Sequence, residues 1–390
     1  MSYWPLVVAY GAMFYEGALN IILSALMLPL TSVFNVDVGQ IALLIAIKNL
    51  FTLICLYFSG VLSDKFGRKL FIGIGSCFFL LFLIIMIFSH NYFLVLIGAA
   101  FAGIGHGLMD APSQSLIFDV FSDKAAAAMS FVQVFFAGGA MLLSLLAAQF
   151  INLNIDYRFV FVVISIVGVL LLIISRIIKY PNQIHVDNSH SNASINYSKL
   201  FWLLSLTFCY GCYFILLITW LPLYLRDFLN FDDSLAVLML TLNQLGSIVG
   251  SLLWAYVLSK VRLVSLMRFN ALLGLIGLSG LLLIKNVLII FIVVIMLGFV
   301  LGNFFSCCIG MGGELFSLRK GWITGLVASA NMAAGFILAS ISGLIVGLFG
   351  VWLVFGFAWL FMLGCFLLIN IIYRLYYVNS NGKCLEKNLT

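Results

Sequence analysis

Twelve long apolar runs constrain this chain more than any other feature. They fall near residues 5–28, 39–60, 70–89, 92–118, 127–150, 158–178, 200–224, 234–258, 264–284, 287–311, 322–348 and 351–374. A run of about 20 apolar residues crosses a hydrocarbon layer ~30 Å thick. Inside that layer every backbone N–H and C=O must find its partner within the protein, which admits only helices and closed barrels. Barrel strands are about 10 residues long and alternate in hydrophobicity, whereas these runs are longer and continuous. With 64% hydrophobic residues over 390 positions, one water-soluble core could not hide the apolar surface. The expected fold is an all-α integral membrane protein with twelve transmembrane helices. The first run lacks a basic leader and is long enough to span, so no cleavable signal peptide is expected.

The basic residues suggest an orientation. With the N-terminus in the cytoplasm, 15 of the 19 Lys and Arg fall on the cytoplasmic side, among them Lys65, Arg68, Lys69, Lys260 and Lys320. Arg158, Arg226 and Lys285 fall on the other side, and Lys48 lies within a span. This asymmetry follows the positive-inside rule and places both termini in the cytoplasm, in a multi-pass protein of the cytoplasmic (inner) membrane. The net charge of +6 then reflects topology. No basic patch with interleaved aromatics argues for nucleic acid. Cys209 and Cys212 form a C-x-x-C, but within an apolar helix and without a redox fold around it, so helix packing is expected of them rather than metal or redox chemistry.

Short matches recur at an offset of 195 to 196 residues. "NVD" at 35–37 faces "NFD" at 230–232, and "VLSDK" at 61–65 faces "VLSK" at 257–260. "GIGHG" at 103–107 faces "GFVLG" at 298–302, and "DVFSDK" at 119–124 faces "ELFSLRK" at 314–320. Each falls at the same point of the helix count, which argues for a duplicated six-helix unit. The expected division is a six-helix bundle over 1–180, a polar cytoplasmic linker over 181–199, a second bundle over 200–374 and a cytoplasmic tail over 375–390. His185 and His190 in the linker read as solvated residues rather than metal ligands. Two pseudo-symmetric bundles around a central cavity describe a rocker-type secondary transporter.

The stretch "GVLSDKFGRKL" at 60–70 concentrates charge between two apolar runs. Asp64 and Arg68 are four residues apart and would share a face of one helical turn. Gly60 and Gly67 would let backbones approach closely. The stretch resembles the G-x-x-x-D-x-x-G-R-[RK] signature of the major facilitator superfamily, in its usual loop, and the resemblance extends over all twelve spans. It implies a monomeric carrier driven by an ion gradient, with a small-molecule substrate and no bound cofactor. It also implies a latch in which Asp64 and Arg68 engage an acid at the end of the fourth span, matched here by Asp119. Glu314 with Arg319 would form a weaker mirror element.

Three ionisable residues lie near the bilayer midplane. Glu16 stands about 16 Å along a helix from Pro5, Lys48 about 18 Å from Gly60, and Asp110 about 14 Å from Asp119. A charge at that depth costs at least ~2.5–3.5 kcal/mol on insertion scales, so it faces a cavity or a partner. One carboxylate can pair with Lys48, which leaves the other without a fixed cation and suited to carry a proton. A static salt bridge, or direct binding of a charged substrate by Lys48, would use the same residues. His106, one turn before Asp110, is placed to relay a proton or simply to pack.

Neutral polar and aromatic residues on seven spans suggest a polar cavity: Asn20, Gln114, Gln133, Tyr210, Tyr213, Trp220, Asn243, Gln244, Asn303 and Asn331. Amides hydrogen-bond hydroxyls in both directions and aromatic faces stack on sugar rings. Each residue alone could equally serve as an interhelix hydrogen bond. "FYEGALNIILSALMLP" and "GIGHGLMDAPSQSLIFD" resemble the first and fourth spans of proton-coupled fucose permease-type sugar carriers, with Glu16, Asp110 and Gln114 matching by position. The chain departs from them in Gln114, where Asn is usual, in Pro112 and in Lys48. The resemblance implies proton symport of a sugar-like solute. The alternative is proton-coupled efflux of drugs or metabolites, but the G-P-x-x-G-G element of that branch is broken, since Gly138 and Gly139 lack the proline. No H-E-x-x-H, G-x-S-x-G or nucleotide-binding P-loop argues for an enzyme.

Overall fold

The computed structural model describes residues 4–120, 125–180, 196–257, 261–316 and 320–376. Among them every element is a helix. The first half holds α1 (Trp4–Ala25), α2 (Met27–Phe34), α3 (Val38–Phe66), α4 (Arg68–Phe88), α5 (Tyr92–Val120), α6 (Ala125–Asn152) and α7 (Arg158–Ile177). The second holds α8 (Tyr197–Leu229), α9 (Asp233–Val257), α10 (Leu263–Leu283), α11 (Val287–Leu315), α12 (Lys320–Phe349) and α13 (Trp352–Tyr376). Twelve of them are long and apolar enough to cross a membrane. The exception, α2, prolongs α1 past a break at Leu26. Residues 181–195 of the expected linker and 377–390 of the expected tail lie outside the described residues.

The chain reverses alternately at two ends of the bundle, a terminal end near Trp4 and Tyr376 and a far end opposite. At the far end the repeated N-x-D has a physical cause. Asn35 and Asn230 close their helices in the left-handed region, with φ of 50° and 56°. Asparagine tolerates that conformation better than most residues. The aspartates two positions on start the next helices. Gln40 Oε1 accepts from the Asp37 N–H at 2.9 Å, and Asp232 Oδ2 accepts from the Leu235 N–H at 3.1 Å. Such bonds satisfy N–H groups that a helix start would otherwise leave open.

The stretch at 60–70 corrects the sequence reading. It is not an extended loop, because α3 runs on past the apolar segment to Phe66 and α4 begins at Arg68. Gly67 alone forms the break, with φ of +100°. Asp64 and Arg68 therefore do not share a helical turn. The two glycines do not bring backbones together either, since a methyl on Gly60 or Gly67 would meet nothing within 4 Å. Gly67 is needed for its backbone angle, which L side chains rarely adopt.

The glycines of "GIGHG" do permit close approach. A methyl on Gly103 would strike the Lys48 carbonyl oxygen of α3, and one on Gly107 would lie 2.7 Å from that of Thr52. In the second half, 195 positions later, methyls on Gly298 and Gly302 would strike the carbonyl oxygens of Asn243 and Ser247 on α9. Hydroxyls stitch both seams. Thr52 Oγ1 donates to the Lys48 and Gly103 carbonyls at 2.9 and 3.2 Å, and Ser251 Oγ to those of Ser247 and Gly302 at 2.8 and 2.6 Å. Small residues with hydroxyl bonds are what hold helices together where lipid removes the usual hydrophobic drive. Gly103→Val is expected to push α3 and α5 apart and cost about 1–3 kcal/mol or more of stability. A lowered melting temperature of the purified protein, with Gly313→Ala unchanged as control, would register it; a methyl on Gly313 meets nothing within 4 Å.

The halves meet closely at the far end. A methyl on Gly39 of α3 would lie 3.1 Å from the Gly343 carbonyl oxygen of α12. Between α6 and α9, Ser144 and Thr241 share a hydroxyl bond of 2.9 Å, and Ser234 Oγ donates to the Ala148 carbonyl at 2.9 Å. Towards the terminal end of α3, Tyr57 is 70% exposed.

Candidate functional site

The midplane charges converge within the first half. Glu16 on α1, His106 and Asp110 on α5 each bring a polar atom within 4.8 Å of the others. Glu16 is fully buried, and no N–H or hydroxyl donor among the described residues reaches either of its carboxylate oxygens. His106 Nε2 stands 4.0 Å from Glu16 Oε2, beyond hydrogen-bond reach, and His106 Nδ1 is also unpartnered among them. Asp110 Oδ1 accepts from Gln114 Nε2 at 2.7 Å, one turn along α5. Pro112 between them has no N–H, so the Leu108 carbonyl loses its helical donor beside the cluster.

Lys48 departs from expectation. It is buried, yet among the described residues it forms no ion pair with either carboxylate. Its ammonium donates instead to Asn20 Oδ1 at 2.7 Å, with the Asn20 carbonyl at 3.4 Å. Asn20 lies one turn beyond Glu16 on the same face of α1. The seam described above brings α3 against α5 and so delivers Lys48 to the cluster: Gly103, which permits that approach at Lys48, precedes His106 by one turn.

The second half lacks this chemistry. The positions 195 further along from Glu16, His106 and Asp110 are Gly211, Leu301 and Phe305, and Asn243 stands where Lys48 would be. Its expected cavity residues divide into two groups. Trp220 Nε1 donates to Ser342 Oγ at 2.8 Å, Asn243 Nδ2 to the Val294 carbonyl at 3.1 Å, and the Tyr210 hydroxyl to the Leu301 carbonyl at 3.3 Å. Tyr210 also stacks on Phe304 with ring centroids 4.9 Å apart. These three join helices of the second half to one another. Tyr213 Oη, Asn303 Nδ2 and Asn331 Oδ1 are buried without partners among the described residues, and Asn331 Oδ1 would lie 2.7 Å from a methyl on Gly211. Gln244 is buried and Gln133 half-buried. Sequence reasoning missed Asn49, whose Nδ2 would lie 2.7 Å from a methyl on Gly335 across the halves, and Asn270, fully buried with both amide ends unpartnered among the described residues. An amide inside an apolar run was the available signal for both.

The expected latch is only partly described. Buried Arg68 donates from Nη1 to the Ser115 carbonyl of α5, within its own half, and Glu314 is exposed at the end of α11. The side chains of Asp64 and Asp119, and all of Arg319, lie outside the described residues. A separate cavity of about 420 Å³ opens at the far end between α6, α7 and the α1–α2 break, with Pro29, Phe150, Asn154 and Arg158 in its wall.

Comparisons with known proteins agree with this architecture. A family model described as Major Facilitator Superfamily matches residues 8–337. "Uncharacterized MFS-type transporter YfkL" of Bacillus subtilis (strain 168) is 29% identical over 344 residues, covering 85% of this chain and 86% of that protein. "Inner membrane transport protein YdiN" of Escherichia coli (strain K12) is 26% identical over 384 residues, covering 95% and 91%. Among solved structures, one titled "Crystal structure of D-xylose-proton symporter" superposes with a TM-score of 0.79 at 15% identity, covering 98% of this chain and 99% of that one.

Proposed function

The chain belongs to the major facilitator superfamily, and from that membership we propose that it imports a small polar, sugar-like solute by alternating access, together with protons, across the cytoplasmic membrane. The observation that carries the proposal is the Glu16–Asp110 pair. Two carboxyl groups this close, Glu16 buried and Asp110 half-buried near the middle of spanning helices, form a site for one proton, because like charges so near each other are costly when both are ionised. Lys48 sits on Asn20, so the pair is free to take that proton. His106 beside Glu16 offers a route to it. The unpartnered polar atoms of Tyr213, Asn303 and Asn331 supply donors and acceptors for solute hydroxyls from the second half. The proton gradient is the energy source, and both termini lie in the cytoplasm.

The test is uptake of a panel of labelled sugars into proteoliposomes, with and without an inward proton gradient. Accumulation of one sugar above its external concentration, only when the gradient is imposed, is the expected result. No gradient-driven uptake of any sugar would overturn the sugar reading. Gradient-driven movement of a drug or metabolite against the proton flow would replace symport with efflux.

A further inference from the structure

We infer that Lys48 is a movable counter-ion that rests on Asn20 while the Glu16–Asp110 pair holds a proton, and shifts onto the pair when the proton leaves. The inference rests on the symport reading above. Its observation is a seating that simple charge pairing would not produce. A buried ammonium has three donors to satisfy, and ionised carboxylates are its strongest partners. Lys48 is 2% exposed and bonded only to Asn20, while Glu16 keeps two buried oxygens without a donor among the described residues. That arrangement is favourable if a proton already occupies the acid pair and unfavourable if the pair is bare.

The geometry supplies both seats. Glu16 and Asn20 follow one another on a single face of α1, and the flexible four-carbon stem of Lys48 approaches that face from α3. The other titratable neighbours are His106 and Asp110 on α5 and Tyr15 on α1. The α4 side contributes the ring of Phe79, which meets Tyr15 and His106. Among the described residues Lys48 is thus the only fixed cation in the group. Its role follows from the transport cycle. After solute and proton are released, the empty carrier must turn its site back to the other side, and a bare acid in the low-dielectric interior opposes that step. Lys48 moving from Asn20 to the pair supplies the missing positive charge without a proton.

The experiment needs no solute. Infrared absorption of the carboxylic acid C=O group is followed in the purified full-length protein in lipid as pH is raised, and the band is assigned by its loss in Glu16→Gln and Asp110→Asn. Lys48→Met removes the competitor of the proton, so the band should persist to a pH higher by about one unit or more, a tenfold change in proton occupancy. Asn20→Asp holds Lys48 more firmly and should act in the same direction. Asn20→Ala abolishes the resting seat and should make the band vanish about one unit earlier. A lysine fixed in place would also raise the titration when it is removed, through its charge alone, but it would leave the Asn20→Ala titration unmoved. Opposite shifts for the two Asn20 variants support the inference even if Lys48→Met does not fold. Absence of a downward shift in Asn20→Ala overturns it. A parent protein without a titrating band from Glu16 or Asp110 instead overturns the symport reading itself.

Discussion

Glu16→Gln is expected to abolish proton-driven accumulation while leaving solute exchange between the two sides of the membrane intact. The amide keeps the size of the acid and imitates its protonated form permanently. Exchange needs only the loaded, protonated carrier to shuttle, so it should continue at a rate near that of the parent. Accumulation needs proton release on one side, and should fall at least tenfold. Asp110→Asn should behave alike, because its amide oxygen can still accept from Gln114. The structure also alters what these substitutions do to folding. Had one acid been paired directly with Lys48, its amide would have stranded a buried cation at a cost of several kcal/mol. Lys48 is already satisfied by Asn20, so both variants should fold. The check compares accumulation with counterflow in proteoliposomes. Continued accumulation in both variants would make the cluster a structural brace.

Gly39→Leu should cut transport at least tenfold for a different reason. The side chain would meet the backbone of α12 at Gly343, where even a methyl lies 3.1 Å from the carbonyl oxygen. The halves could then no longer close at the far end, and one limb of alternating access would be lost. Ser144 and Thr241, 2.9 Å apart across the same end, give the readout. Cysteines placed at both positions, with the native cysteines removed, should crosslink readily in the parent and poorly in Gly39→Leu. Gly347→Leu is the control, since a methyl there meets nothing within 4 Å. Unchanged crosslinking in Gly39→Leu would show that the far end does not depend on this contact.

The twelve spans could be read from the sequence because their length is set by the bilayer and their helicity by the lack of backbone partners in lipid. The N-x-D and G-x-x-x-G repeats were legible for a related reason. Asn35 and Asn230 answer a backbone angle, and Gly103 and Gly298 answer a close approach, so the residue type carries the geometry. The reading failed at 60–70 because a helix leaving the membrane becomes polar before it ends, and hydropathy reports the first event rather than the second. It failed at Lys48 because spacing along α3 could place the ammonium at the right depth but could not choose between a carboxylate and an amide on α1. Trp220, Asn243 and Tyr210 show the same ambiguity: a polar group in an apolar run serves either a neighbouring helix or a solute, and only the packing distinguishes them.

The two glycine seams, equal in build and unequal in charge, imply a division of labour with evolutionary reach. Gly103 and Gly298 hold their helices in matching ways, yet the acids and the lysine stand beside only the first. If the cluster couples protons as proposed above, sequence drift in α8 to α13 would retune which molecule is carried without disturbing that coupling. On that proposal, recombining the segment between relatives would create carriers of new cargo that keep the same proton coupling.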